Sequence, residues 1–273
     1  MFYPGVAPAL AQDQKVFAPL RAEMISQGMK TAQVDALLDD KRVRFEGRLM
    51  AILLAPSEHK LNYGQFLGSK TVKAGKAFMA QHAATLAQAR KQSGVDPTVV
   101  VAILSVESRL GIYTGKSMVF NVLASQAVLD TPEAQKLVAQ NWPSKQKAEL
   151  KTAKTKKRFA KRAAWARKEM GSLMRLAAKE GRSPLDYQGS LAGALGMAQF
   201  VPTSVLIWGQ DADGDGRVDL LDPQDAIHSV ANYLKAHGWR PGLSYKAKLK
   251  VVLTYNNSKP YANTVLGLAE KLR

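Results

Sequence analysis

The chain has no cysteine, which excludes disulfides, cysteine nucleophiles and thiolate metal sites. Histidine is scarce as well. His59, His82, His228 and His237 are the only four, and none stands in H-E-x-x-H or other ligand spacing, so packing or exposed roles are expected for each. There is no G-x-S-x-G elbow, no internal repeat and no strongly signalled strand. No stretch approaches the roughly 18 consecutive apolar residues of a membrane span. The first residues, MFYPGVAPALAQDQ, have no basic region followed by an apolar one and are not read as an intact signal peptide. Acids are few beside bases: 22 Asp and Glu against 39 Lys and Arg, a formal net charge of +17. Such a balance attracts polyanions such as nucleic acid, anionic lipid or an acidic wall polymer, and charge alone does not choose among them.

What is present is helical periodicity, in a length that suits one large or two modest domains. Phe17, Leu20, Met24 and Ile25 recur at helical spacing, with Gly28 as a stop. Thr31 is a candidate cap for the next helix, which faces Val34, Leu37 and Leu38 inward. A short apolar helix covers 48–56, a loop with Tyr63 and Phe66 covers 57–68, and one long amphipathic helix covers about 70–92. Asp96 and Pro97 then read as the cap and first residue of a new helix. Later helices are expected at 223–237, about 246–254 and the C-terminus, with a small sheet or hairpin hidden in 111–122.

The helix opened by Asp96 carries Val100, Ile103, Leu104 and Glu107 at i, i+3, i+4 and i+7, so the glutamate projects from the aliphatic face. A carboxyl there is desolvated, which raises its pKa and suits a general acid. The plainer alternative is an ion pair with Arg109 or a lysine. GIYTGKS (111–117) resembles a phosphate loop only superficially. The pattern needs a glycine where Leu110 stands, and no strand precedes it, so nucleotide binding is rejected.

DADGDGRVDLLDPQD (211–225) is the sharpest local signal. Asp211, Asp213 and Asp215 hold positions 1, 3 and 5 of an EF-hand loop; Gly216 supplies the turn, Arg217 a carbonyl and Val218 the apolar eighth residue. Position 12 is Asp222 in place of glutamate, and Asp225 is a second candidate for the closing ligand. In YNNSKPYA, Tyr255, Asn256 and Tyr261 suit sugar stacking and hydroxyl recognition, or a turn packed by two aromatics. From Lys145 to Glu169 eleven Lys and Arg face two acids, on one long basic helix that ends near Gly181.

Four stretches in order, SVESRLGIYTGKSMVFNVLAS, GSLAGALGMAQFVPTSV, DADGDGRVDLLDPQDAIHSVANYLKAHGW and TYNNSKPYA, resemble the membrane-bound lytic murein transglycosylase B family. The resemblance runs from about Tyr63 to Tyr261 and is weakest over 130–188. It implies a mainly α-helical, lysozyme-like α+β fold with a calcium loop and a small β element. An N-terminal helical region (1–62) would precede a catalytic region (63–273) with a basic insertion at about 130–188.

The implied activity is non-hydrolytic cleavage of the β-1,4 bond between N-acetylmuramic acid and N-acetylglucosamine, leaving 1,6-anhydromuramoyl ends. Glu107 would be the only catalytic carboxylate, first acid and then base. Ser190, Gln199, Phe200, Tyr233, Tyr255, Asn256, Tyr261 and, with its spacing shifted by one, Tyr63 match substrate-binding positions. Asp211, Asp213, Asp215, the Arg217 carbonyl and Asp225 match a structural calcium site, with no organic cofactor. Leu110 and Met197 replace aromatics common in the family. The resemblance implies peptidoglycan glycan strands as partner and a periplasmic location, with no specific nucleic acid. The basic 145–168 segment is read as a solvated helix face or as a contact for the wall or for cell-wall proteins. The rival readings are a lysozyme-type hydrolase using the same glutamate and a non-catalytic wall-binding protein.

Overall fold

The computed structural model describes residues 6–55 and 62–273, with side chains from residue 13 onward. His59 and the part of the expected loop over 57–61 lie outside the described residues. In chain order the α-helices are α1 (Val6–Ser26), α2 (Thr31–Leu38), α3 (Gly47–Leu54), α4 (Ser69–Gln81), α5 (Ala83–Ser93), α6 (Pro97–Ser108), α7 (Val119–Ala127), α8 (Pro132–Gln140), α9 (Ala153–Glu180), α10 (Pro202–Trp208), α11 (Pro223–Ala236), α12 (Tyr245–Tyr255) and α13 (Lys259–Leu272). Two short strands, β1 (Ser117–Met118) and β2 (Gln188–Gly189), pair antiparallel. The small β element is therefore not a hairpin within 111–122; its second strand comes from far along the chain.

Three local expectations change for identifiable reasons. Thr31 is the first helical residue, and the cap position falls on Lys30, which makes no side-chain bond. The helix expected over 70–92 breaks at His82 (φ −109°, ψ 29°). Its two halves serve different partners: α4 packs on α6 and α13, and α5 on α11. Residues Tyr63–Leu67 form a 3₁₀ turn, capped by Asn62, whose Oδ1 accepts from Gly64 N at 3.1 Å.

The chain divides into two compact units, each built from two segments. The first comprises Met1–Ser57 and Lys116–Ala194. Its core joins Met50 and Leu54 of α3 to Val122 of α7, Val138 of α8, Trp142, and Phe159 and Ala163 of α9. Every residue of α7 is buried, including polar ones that the neighbouring backbone satisfies. Asn121 Nδ2 donates to the Arg42 carbonyl at 2.8 Å, and Ser125 Oγ accepts from Glu46 N at 2.8 Å. These bonds serve an irregular segment that cannot satisfy its own peptide groups. The basic segment begins as a 3₁₀ turn (Ser144–Lys151), then enters α9 at the Thr152 cap and stops at Gly181 in the left-handed region (φ 62°). The units thus do not follow a linear boundary at residue 62: residues 116–194 pack with the N-terminal helices, because α7 buries its whole circumference among α1, α3 and α9.

The second unit comprises Glu58–Gly115 and Leu195–Arg273. Helix α6 touches α4, α5, α11 and α13. Asp96 caps it, accepting from Thr98 N at 3.2 Å, with Pro97 first in the helix. All residues from Thr98 to Ser105 are buried. There is therefore no single apolar stripe; α6 is apolar on every side because neighbours surround it. Its β-branched run is a poor intrinsic helix former, and tertiary burial overrides that preference.

Candidate active site

Glu107 sits in the last turn of α6, half-buried, where the helix ends in an unusually determined way. Three consecutive residues, Arg109, Leu110 and Gly111, have positive φ (51°, 60° and 93°). Arg109 N and Leu110 N return to the Ser105 and Leu104 carbonyls at 3.1 and 3.0 Å. Ser108 Oγ accepts from Gly111 N at 2.9 Å, and Tyr113 N reaches the Ser108 carbonyl at 2.8 Å. Two non-glycine residues in the left-handed region are costly and are held by these bonds. The turn fixes the end of the helix and, with it, the glutamate.

The carboxylate's partner is Tyr261 on α13, whose hydroxyl donates to Glu107 Oε1 at 2.6 Å. Tyr261 is 2% exposed, and the ring of Tyr63 meets it edge-on at 6.3 Å. Burial pushes the Glu107 carboxyl up to about 7, and the Tyr261 bond pulls the other way. No other carboxylate is among the groups that shift it. Arg109 is not its ion pair: that guanidinium donates to Gln65 Oε1 at 3.1 Å and lies 5.2 Å over the Tyr113 ring. Burial and the charge of Glu107 raise both Tyr261 and Tyr255 well above the usual tyrosine range, so both stay protonated donors.

A second wall of the site is the turn 195–200. Leu195 N bonds the Phe200 carbonyl at 2.8 Å, and Gln199 has φ 50°. The Gln199 amide donates to the carbonyls of Thr114 and Gly196 at 3.2 and 2.8 Å, tying this turn to the loop after α6. Gly196 is required: a Cβ there would lie 2.3 Å from that of Leu220. Tyr255 donates to the Ala198 carbonyl at 2.5 Å. Phe200 and Tyr233 are buried, and Tyr233 packs against Phe200, Trp208, Tyr255 and His237 while donating to the Thr254 carbonyl at 2.6 Å. These two rings support the wall from behind more than they present a face to a ligand.

Asn256 is exposed at the end of α12. Ser190 belongs to the other unit, where its Oγ accepts from Ala192 N and Ala194 N at 3.3 and 3.1 Å. Three described histidines have packing roles: His82 against Phe78, His228 bonded to Gln92, and His237 stacked on Tyr233. Residues not singled out from sequence are Gln65, Tyr113 and Thr114. Ile112 and Tyr113 are exposed at 73% and 61%, on the loop that follows the Glu107 turn. Their only sequence signal is nearness to Glu107.

The acidic loop precedes α11. Carboxylate oxygens of Asp211, Asp213 and Asp225 lie within 4.8 Å of one another. Among the described residues none of them is in an ion pair with Lys or Arg. Asp225 is 1% exposed and also accepts from Ala212 N (2.7 Å) and Asp219 N (2.8 Å), which closes the loop onto α11. Asp222 is occupied as the α11 cap, accepting from Gln224 N at 2.6 Å. Asp215 is not gathered with the other three and accepts from Arg217 N at 2.8 Å. An all-oxygen set of converging carboxylates fits a hard divalent cation of the calcium type.

The fold and the sequence place the chain in a class. The family described as the Transglycosylase SLT domain matches residues 12–251, and the chain belongs to that family. Membrane-bound lytic murein transglycosylase B of Escherichia coli is 31% identical over 221 residues, covering 81% of this chain and 52% of the relative. The chain thus spans about half the length of that curated relative. Among solved structures, soluble lytic transglycosylase SltB1 from Pseudomonas aeruginosa superposes with a TM-score of 0.75 at 24% identity, covering 94% of this chain and 97% of that one. The E. coli lytic transglycosylase Slt35 in complex with calcium gives 0.70 at 24% identity, covering 96% and 92%. The fold is therefore the mainly helical, lysozyme-like fold of these transglycosylases. Among the described residues no helix is long and apolar enough to cross a membrane.

Proposed function

We propose that this chain is a peptidoglycan lytic transglycosylase that cleaves the MurNAc–β-1,4–GlcNAc bond with Glu107 as its single acid and base. The observation that carries this reading is the partly buried Glu107, with a pKa of about 7, held by the Tyr261 hydroxyl and by a turn with three left-handed residues. At neutral pH a large fraction is protonated and can give its proton to the glycosidic oxygen as the bond breaks. The resulting carboxylate then takes the proton of the muramoyl C6 hydroxyl as that oxygen attacks the anomeric carbon. The 1,6-anhydro ring forms without water. A hydrolase with two carboxylates would need a second acid roughly 5–9 Å away; in this reading none is required, because the substrate's own C6 hydroxyl is the nucleophile. Tyr261 keeps the carboxyl aimed through both steps, and Tyr63, Tyr255, Asn256 and Gln199 are the side chains offered to the sugar. Phe200 and Tyr233 act from behind, and Ser190 stands as a sequence match to a substrate-binding position.

The test is a digest of purified sacculi with wild type and Glu107→Gln, read by mass spectrometry. Anhydromuramoyl ends are expected from wild type only, with the variant slower by roughly 10³-fold. Reducing muramic ends would establish a hydrolase instead, and equal inertness of both proteins on sacculi they bind would establish a wall-binding protein. A peptidoglycan substrate implies a periplasmic location.

The acidic loop supports one structural calcium, held by Asp211, Asp213, Asp225 and the Arg217 carbonyl, with Asp215 the remaining sequence match. Bound there, the ion would neutralise the clustered carboxylates and hold the loop against α11. A melting temperature several degrees higher in excess calcium than in chelator is expected, on the order of 3 kcal/mol at a hundredfold excess over Kd. Unfolding that is indifferent to calcium in wild type would remove this part of the reading.

A further inference from the structure

The basic segment of the first unit takes no part in the chemistry above, yet it carries eleven Lys and Arg against two acids between Lys145 and Glu169. Between Lys145 and Lys168 the residues Lys145, Lys147, Lys151, Lys154, Lys156, Lys157, Arg158, Lys161 and Lys168 are all exposed. Among the described residues none of these nine is in an ion pair with an acid. The two cations of the segment that do find partners are the half-buried ones. Arg167 pairs with Glu23 and Asp130 at 2.9 and 2.8 Å, and Arg162 bonds Gln126 and stacks 4.1 Å over Trp165.

The unpaired charges are ordered. At 100° per residue, five of the six unpaired cations on α9, Lys154, Lys157, Arg158, Lys161 and Lys168, fall within about 100° of its surface and extend about 21 Å along it, while Lys156 lies outside this stripe. Lys154–Arg158 and Lys157–Lys161 stand at i, i+4, and Lys154–Lys157 and Arg158–Lys161 at i, i+3, so neighbours repel. Such a stripe costs helix stability, and an aligned row of anions would relieve that repulsion. The opposite face of α9, with Phe159, Ala163 and Met170, is buried in the unit's own core.

The surface also has properties that discriminate among polyanions. The exposed large apolar residues of the described chain are Ile52, Ile112, Tyr113, Leu191, Ile207, Leu221 and Tyr245, and none lies in 145–168. A helix that beds into a lipid interface needs exposed Trp, Phe or Leu beside its cations. A single-stranded nucleic-acid surface needs exposed aromatics for stacking. Lysine predominates, and its ammonium is a mobile point charge without the bidentate fork that recognises phosphate geometry. What remains is attraction to a row of simple anions on a flexible polymer.

We propose that the exposed face of α9 and the preceding 3₁₀ turn is a docking surface for the carboxylates of peptidoglycan peptide stems, distinct from the Glu107 site. This rests on the peptidoglycan reading above. The surface would hold the enzyme on the wall through many weak, salt-sensitive contacts while Glu107 acts on a glycan bond.

The experiment is co-sedimentation of the full chain with purified sacculi at 4 °C, in a Glu107→Gln background so that no turnover intrudes. Three proteins are compared: the parent, the neutral K154Q/K157Q/R158Q/K161Q variant, and the charge-preserving K154R/K157R/K161R variant. Retention is expected to fall with salt and to weaken at least about tenfold in the neutral variant, while the arginine variant retains it. Sacculi whose stem carboxylates are capped as amides should lose the difference between proteins. Thermal unfolding of each variant confirms that the fold is intact. Equal retention by the parent and neutral proteins overturns the proposal, as does undiminished binding to amidated sacculi. Stronger competition by anionic phospholipid vesicles or double-stranded DNA than by soluble stem peptides at equal charge also overturns it. The two readings fail separately, since wild-type digestion without anhydro ends removes the transglycosylase reading and leaves retention on sacculi to be judged alone.

Discussion

Helices α6 and α9 meet the cost of burial in opposite ways. Helix α6, in the second unit, is hydrophobic all round, and its one acid, Glu107, comes in the last turn. Helix α9, in the first unit, buries one face and turns a row of cations to solvent. In α6 the surroundings hold the glutamate in low-dielectric space, so its proton affinity is set by the fold. In α9 the surroundings leave the charges alone, so their effect is set by salt and by whatever anion approaches. Chemistry at a defined atom requires the first arrangement, and attraction to a polymer requires only the second.

The sharpest way to break the α6 arrangement is to open a void in it. Ile103 is fully buried in the turn before Glu107. Ile103→Ala should cost about 3 kcal/mol of unfolding free energy, by lost transfer and an unfilled cavity. Chemical denaturation with an unchanged m-value is the measurement. A loss under 1 kcal/mol would mean that neighbouring helices collapse onto the site and that α6 is not the rigid member of the pair.

The two helices also differ in how far the amino-acid sequence alone reveals them. The α9 pattern is amphipathic, so its body and its Gly181 stop can be read from the sequence, but the one long helix expected from Lys145 is divided: Ser144–Lys151 is a 3₁₀ turn and α9 begins after the Thr152 cap. The start of α6 is legible from Asp96 and Pro97, but the apparent stripe through Val100, Ile103 and Glu107 misleads, because a helix buried on all sides carries no periodic signal. The partner of Glu107 is out of reach of spacing: Tyr261 is brought to it by the packing of α13 on α6. Resemblance points to Tyr261, yet only the fold separates it from Phe200 and Tyr233, which are buried behind the turn at 195–200. The acidic loop is legible as a run of clustered carboxylates, whereas the gathering of Asp225 rather than Asp222 with Asp211 and Asp213 needs the fold to be seen, with Asp222 engaged as the α11 cap. A division at residue 62 follows chain order, and the units are instead built from interleaved segments.

A smaller and more specific perturbation acts on the proton alone. Burial raises the Glu107 pKa to about 7 and the Tyr261 hydroxyl lowers it, so removing that hydroxyl lets the pKa rise further. The acid step needs the protonated form, and kcat/KM should therefore fall as pH rises through about 7 in wild type. In Tyr261→Phe this limb should move to higher pH, while kcat at the optimum falls about tenfold because the carboxyl is no longer aimed. A pH–rate profile on solubilised glycan strands checks both. A limb that stays in place or moves to lower pH would show that the titrating group is not Glu107 bonded to Tyr261.

The smallest effect belongs to α9 and has the opposite sign. Lys157 repels Lys154 at i−3 and Lys161 at i+4, and no acid pairs with any of the three among the described residues. Lys157→Gln removes both repulsions at little cost in helix propensity, since the two residues rank close together. The variant should be more stable than wild type by about 0.5 kcal/mol at low ionic strength, and the gain should vanish in high salt as the charges are screened. Paired denaturation curves at two salt concentrations resolve it. A gain that persists in high salt would point to packing or propensity, and a loss would mean that Lys157 makes a stabilising contact. In α6 a substitution weakens the core, while in α9 a cation can be removed to the benefit of the fold, which is what an exposed surface kept for binding should do.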